Sequence, residues 1–198
     1  MWYTLLMEPI ILASASPQRQ EYFRLLGLPF EVIPSPAKEV FNWSIEPAQA
    51  VEKLALQKVN SVRELCQNRK TPWIAAADTI ILLDGQIYGK PCDRGNARLM
   101  LCDLQGRSHE VITAIALYNS KADKTDCRSV VSNVTFAPLS DGEIEWYLDS
   151  GEWQGAAGAY RIQGLASCFI SKISGSYSSI VGLPLREFYV MLRDNCYF

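Results

Sequence analysis

Residues 76–91 read AADTIILLDGQIYGKP and carry the residue types best suited to chemistry in this chain. Asp78, followed by Thr79, heads an apolar strand, and Lys90 follows the Asp84-Gly85 turn. A carboxylate among alanines is costly to ionise unless a cation or a hydrogen-bond donor meets it. A lysine or a divalent metal would meet that need, and both belong to phosphate chemistry. The simpler reading is a capped strand, a turn and a surface lysine. Three other segments bear on the choice.

In Ser14-Ala15-Ser16-Pro17-Gln18-Arg19 a strand runs into a helix N-terminus, where free backbone N–H groups and the positive end of the dipole favour an anion. Arg19, in the first turn, adds a planar fork for phosphate oxygens; without a ligand the segment is an ordinary capped helix. Lys58 lies among Leu54, Ala55 and Val59 and points away from Lys53. Its ammonium reaches over the core edge or snorkels to water. Residues 150–164, SGEWQGAAGAYRIQG, hold four glycines, enough for a loop of close approach feeding a strand. Tyr160 and Gln163 could meet a flat base there, Gln163 by its amide edge; otherwise Tyr160 is a core residue in a glycine-rich turn.

The single histidine, His109, excludes multi-histidine metal sites and reads as structural at the start of a strand. Six cysteines without a C-x-x-C pair read as free, buried thiols in a reducing compartment. Carboxylates and lysines must therefore carry any chemistry.

The elements that position these residues alternate along the chain. Strands are expected at 9–14, 30–33, 73–83, 109–118, 129–137, 160–164 and 167–173. Helices are expected from Pro17 to Gly27, over 46–66, near 94–104, over 140–149 and from about 184 to 194. Ser16 is the expected N-cap of the first helix and Ser140-Asp141 opens the fourth. With 198 residues, 48% hydrophobic and 20% charged, this is expected to be an α/β chain with a mixed, curved sheet and enough core for one domain or two closely joined lobes. A net charge of −2 gives no electrostatic reason to expect nucleic acid or an anionic membrane as partner. No apolar run approaches the about 20 residues of a membrane helix. The start lacks a basic n-region and has Glu8 before its longest apolar run, a poor signal peptide. A cytoplasmic protein is the expectation.

SASPQR, AADT…GKP, GRSHEVITAIAL, SGEWQGAAGAYRIQG and GSYSSIVGLPL occur in that order between Ile10 and Leu192. In these motifs the chain resembles the Maf family, nucleoside triphosphate pyrophosphatases related in fold to the inosine triphosphatases. The resemblance implies a mixed, curved sheet flanked by helices, two lobes around a central cleft, and a single domain over 1–198 with residues 1–8 as an N-terminal extension. It implies that Asp78 is the general base and that Glu39 helps it hold Mg²⁺ or Mn²⁺. Ser14, Arg19, Lys58 and Lys90 match phosphate-binding positions, while Gln18, Thr79 and Gln163 match positions linked to base selection. The implied reaction hydrolyses the α–β bond of a triphosphate to a monophosphate and pyrophosphate, and a homodimer is usual in the family.

Two positions depart from the family pattern. Gln18 stands where a second arginine is usual, and Ala156 stands where a lysine is usual. AGAYRIQG resembles the branch preferring dTTP and UTP, as a housecleaning activity on pyrimidine triphosphates, over the branch acting on 7-methyl-GTP. The alternatives are a catalytically weak nucleotide-binding regulator of septum formation and a purely structural α/β domain.

Overall fold

The computed structural model describes residues 7–38, 44–67, 69 and 71–198. Seven strands form one mixed sheet: β1 (Ile10–Leu12), β2 (Phe30–Val32), β3 (Trp73–Leu83), β4 (Gln86–Tyr88), β5 (Ser108–Asn119), β6 (Lys124–Phe136) and β7 (Ile170–Ser174). Their order is β2-β1-β3-β5-β6-β7, with β4 paired to β3. The described helices are α1 (Pro17–Leu25), α2 (Pro47–Leu65), α3 (Arg94–Leu104), α4 (Asp141–Asp149), α5 (Tyr177–Val181) and α6 (Leu185–Asp194). The mixed α/β class expected from the sequence is the class observed.

The chain forms two compact units. One comprises residues 1–78, 113–130 and 182–198, the other residues 79–112 and 131–181. Strands β3, β5 and β6 each contribute to both.

In the first unit β1 lies between β2 and β3, parallel to both, with Leu12 opposite Ala75. Strand alternation sends Trp73, Ala75 and Ala77 into a core with Phe23 of α1 and Phe188, Met191 and Leu192 of α6. Full burial of each large side chain contributes roughly 1.5–3 kcal/mol. Helix α1 ends in a Schellman arrangement: Gly27 N–H donates to Arg24 O (3.0 Å) and Leu28 N–H to Phe23 O (3.1 Å). Phe23 and Leu28 join the same core, so the cap also aims the chain toward β2. Helix α2 buries Val51, Leu54, Ala55, Val59 and Val62, whereas Leu65, expected on the same stripe, is exposed. Glu8 is anchored: its carboxylate accepts from Trp73 Nε1 and Lys121 Nζ, and its carbonyl from Tyr197 Oη. The Lys121 and Trp73 donors hold its carboxyl below the usual range.

In the second unit the Asp84-Gly85 turn, both residues at positive φ (50° and 79°), closes the β3–β4 hairpin with Leu83 opposite Gln86. The core gathers Ile81, Leu101, Leu104, Val134, Phe136, Tyr147, Tyr160 and Phe169. Ser140 caps α4 in a full capping box with Glu143.

Several expectations need correction. Residues 160–164 are not a strand. The loop's backbone is tied to itself, with Arg161 bonding back to residues 152 and 154, and no sheet partner is made. Residues 165–169 form a 3₁₀ turn, so the last strand begins only at Ile170. Strand β6 starts five residues earlier than expected, because residues 124–130 are mostly half-buried and lack the alternation that signals a strand. The short α5 lay hidden in the polar run GSYSSIVG. Among the six free cysteines only Cys66 is buried; Cys92, Cys168 and Cys196 are exposed.

Candidate active site

The first unit holds five of the described expected residues: Ser14, Gln18 and Arg19 just past the carboxyl end of β1, where ligands of α/β proteins bind, Lys58 on α2 and Asp78 midway along β3. The β1–β3 pairing continues past Leu12, since Ala13 N–H donates to Ala75 O (2.8 Å). Ser14 is thereby set beside the stretch of β3 that ends in Asp78.

Ser14 is buried, and its Oγ accepts from Arg19 Nη1 (3.0 Å) and from Ser16 N–H (3.3 Å). Arg19 Nε donates to the carbonyl of Gly182 (2.8 Å). The arginine therefore has a fixed orientation at the start of α1. Ser16 is the N-cap by backbone position, but its side chain makes no cap bond. Its hydroxyl donates instead to Gln18 Oε1 (3.1 Å), so Gln18 is engaged locally.

Asp78 lies on the face of β3 opposite Ala75 and Ala77. There Lys58 of α2 donates to its Oδ1. Both residues are buried, Lys58 at 7% exposure and Asp78 at 6%. The surface-lysine reading of Lys58 is thus overturned. Its stem crosses the apolar stripe of α2, and its ammonium ends on the one acid that stands among alanines. Each charge supplies the partner that the other needs out of water.

The second unit holds Thr79, Lys90 and Gln163. Lys90 is exposed just after β4 and Thr79 is half-buried on β3. Gly158 N–H donates to Gly89 O (2.9 Å), which ties the segment before Lys90 to the glycine-rich loop. Gln163 is exposed on that loop. Tyr160 is not available to a base: it is buried, and its hydroxyl meets His109 Nε2 at 2.8 Å. Both residues pack edge-on to Phe136. Burial depresses the His109 imidazole to about 4 and pushes the Tyr160 phenol up, so both stay neutral. The structural reading of His109 is the correct one. Ala156 is buried in the same loop.

Glu39 lies outside the described residues. Among the described residues, no three or more His, Cys, Asp and Glu side chains gather as a metal cluster. No described helix is long and apolar enough to cross a membrane. Sequence reasoning missed the Gly182 carbonyl that orients Arg19. A backbone acceptor 163 residues away leaves no local signal.

The chain is thus a mixed α/β protein with a buried Lys–Asp pair and an oriented arginine. Residues 9–195 match the family model described as Maf-like protein. The chain belongs to the Maf-like protein family. It is 43% identical over 191 residues to the dTTP/UTP pyrophosphatase of Symbiobacterium thermophilum, covering 96% of each chain. It is 44% identical over 187 residues to the protein of the same name from Desulforamulus reducens, covering 94% of this chain and 96% of the other. The corresponding Escherichia coli O157:H7 protein is 43% identical over 188 residues, 95% and 93% of the two chains. Among solved structures, the Staphylococcus aureus Ham1 protein aligns over 66% of this chain and 72% of its own, at 13% identity and a TM-score of 0.42.

Proposed function

We propose that this chain is a nucleoside triphosphate pyrophosphatase that hydrolyses the α–β bond of dTTP and UTP. The observation that carries the reading is the buried Lys58–Asp78 pair, in a chain 43–44% identical to proteins named for that activity. Asp78 is the general base, accepting the proton of the attacking water as pyrophosphate leaves the nucleoside monophosphate. Lys58 and Arg19 offset phosphate charge, and Ser14 holds Arg19 in place. In the resting protein the Lys58 ammonium holds Asp78; an incoming triphosphate competes for that ammonium and releases the carboxylate to act. Lys90 is a further phosphate contact, and Gln18, Thr79 and Gln163 select the base.

The donor set suits a divalent cation. Asp78 offers a hard carboxylate, Glu39 is a second, and the substrate's phosphates supply the remaining oxygens, as Mg²⁺ or Mn²⁺ sites at phosphates commonly do. Such an ion would neutralise charge and lower the pKa of bound water. The reading includes a cytoplasmic location and a homodimer, the latter tested by light scattering on the purified protein.

The direct test is pyrophosphate release from a panel of triphosphates with Mg²⁺ and then Mn²⁺, wild type beside Asp78→Asn. Release from dTTP or UTP that vanishes in the variant supports the reaction and its base. Nucleotide binding with no release from any triphosphate refutes the enzyme and favours the nucleotide-binding regulator. Preferential hydrolysis of 7-methyl-GTP refutes the choice of pyrimidines.

A further inference from the structure

The loop that presents Gln163 is closed by a side chain from its own beginning. Glu152 Oε2 accepts the Leu165 N–H at 2.9 Å, two residues beyond Gln163. Two residues before it, Arg161 donates from Nε to the Glu152 carbonyl (2.9 Å) and from Nη2 to the Gln154 carbonyl (2.7 Å). Trp153 Nε1 donates to Leu148 O (2.9 Å), which fastens residue 153 to the last turn of α4. Residues on both sides of Gln163 are thus tied to the 152–154 turn, while Gln163 itself is exposed.

Gly164 sits directly against the Glu152 carboxylate. Its φ and ψ of −110° and −151° are extended, open to any residue, so its backbone does not require glycine. A Cβ there would lie 2.1 Å from Glu152 Oε2, so an added side chain would push that carboxylate out of its seat. The missing side chain is the room that the Glu152 carboxylate occupies. Glu152 and Gly164 are two halves of one contact.

We infer that Glu152, seated against Gly164, is a positioning residue that fixes Gln163 for base selection. The inference rests on the proposed pyrophosphatase reading. A glutamine amide on an untethered loop would sample many orientations, and its hydrogen bonds to a base would lose their discrimination. Holding residues 161 and 165 to one turn removes that freedom before the nucleotide arrives.

The test compares wild type with Glu152→Ala, Glu152→Gln and Gly164→Ala, using pyrophosphate release from dTTP and dATP. Glu152→Ala removes the acceptor, Gly164→Ala displaces it, and Glu152→Gln keeps an acceptor oxygen for Leu165 N–H. The expected result is a roughly tenfold or greater rise in KM for dTTP in the two alanine variants, with kcat within about threefold. The ratio of kcat/KM for dTTP over dATP falls with it, Glu152→Gln stays near wild type, and amide exchange at Leu165 accelerates in both alanine variants. An unchanged dTTP/dATP ratio in both alanine variants, or a loss of kcat equal for both nucleotides, overturns the clamp and leaves the pyrophosphatase reading intact. A wild type that releases pyrophosphate from neither nucleotide overturns both.

Discussion

Each unit of this protein buries a polar pair, and the two pairs are built on opposite principles. Lys58–Asp78 in the first is ionic; His109–Tyr160 in the second is neutral. All four residues are below a tenth exposed. Burial has acted on His109 and Tyr160 as it acts on any isolated titratable group, moving both toward their neutral forms. The hydroxyl then completes one ring nitrogen, and aromatic neighbours complete the packing. Such a pair is part of a core. A buried ion pair is different, because an apolar replacement of the same volume is often as stable or more so. Stability alone gives no reason to keep Lys58 and Asp78. The proposed use of those separated charges on a phosphate would supply such a reason.

The largest effect that would sharpen this contrast is on catalysis. Asp78→Asn is expected to lower kcat for pyrophosphate release by roughly 10²–10⁴-fold while the fold persists by circular dichroism. Tyr160→Phe, by contrast, should leave kcat near wild type; a comparable loss there would erase the distinction between the pairs. Next is stability. Lys58→Met leaves a buried carboxylate without its cation and is expected to cost about 3–5 kcal/mol in chemical denaturation. The double variant Lys58→Met/Asp78→Leu should regain much of it, and failure to do so would mean that the pair contributes net stability after all.

The pH dependence of stability isolates the neutral pair. An unfolded chain protonates His109 near 6.5, whereas the folded chain refuses the proton until about 4. Below pH 6.5 the unfolded state therefore binds more protons, and stability falls as pH drops from about 6.5 to about 4. The loss attributable to this residue approaches about 3 kcal/mol at the acid end. Denaturant titrations at pH 7 and pH 4.5 should show a smaller drop for His109→Gln than for wild type. An equal drop would mean that the imidazole is not held neutral. The smallest effect is that of Tyr160→Phe, about 1–2 kcal/mol, since it leaves buried His109 without a partner on Nε2; Nδ1 already has none.

The legible parts of the fold were those with short-range causes. Pro17 and Gly27 bracket α1, the stripe from Val51 to Val62 marks α2, and the run 73–83 is β3 end to end. Ser140-Asp141 announces α4, to which the structure adds the capping box with Glu143. Residues 160–164 misled because Tyr-Arg-Ile has strand propensity, and propensity carries no information about Arg161 bonding back to residues 152 and 154. In the candidate site the residue types were readable, but their partners were not. Asp78 among alanines called for a cation, and several lysines and arginines were available to answer.

The sequence by itself determined the α/β class, the principal helices and strands, and the candidate residues for phosphate chemistry, since each depends on composition, periodicity or motif. Only the tertiary structure decided that Lys58 meets Asp78, that Tyr160 is spent on His109, and that Glu152 closes the loop around Gln163. Those pairings span 20, 51 and 13 residues respectively. Contacts at such separations are set by how sheet, helices and loops pack, and no local pattern in the chain encodes them.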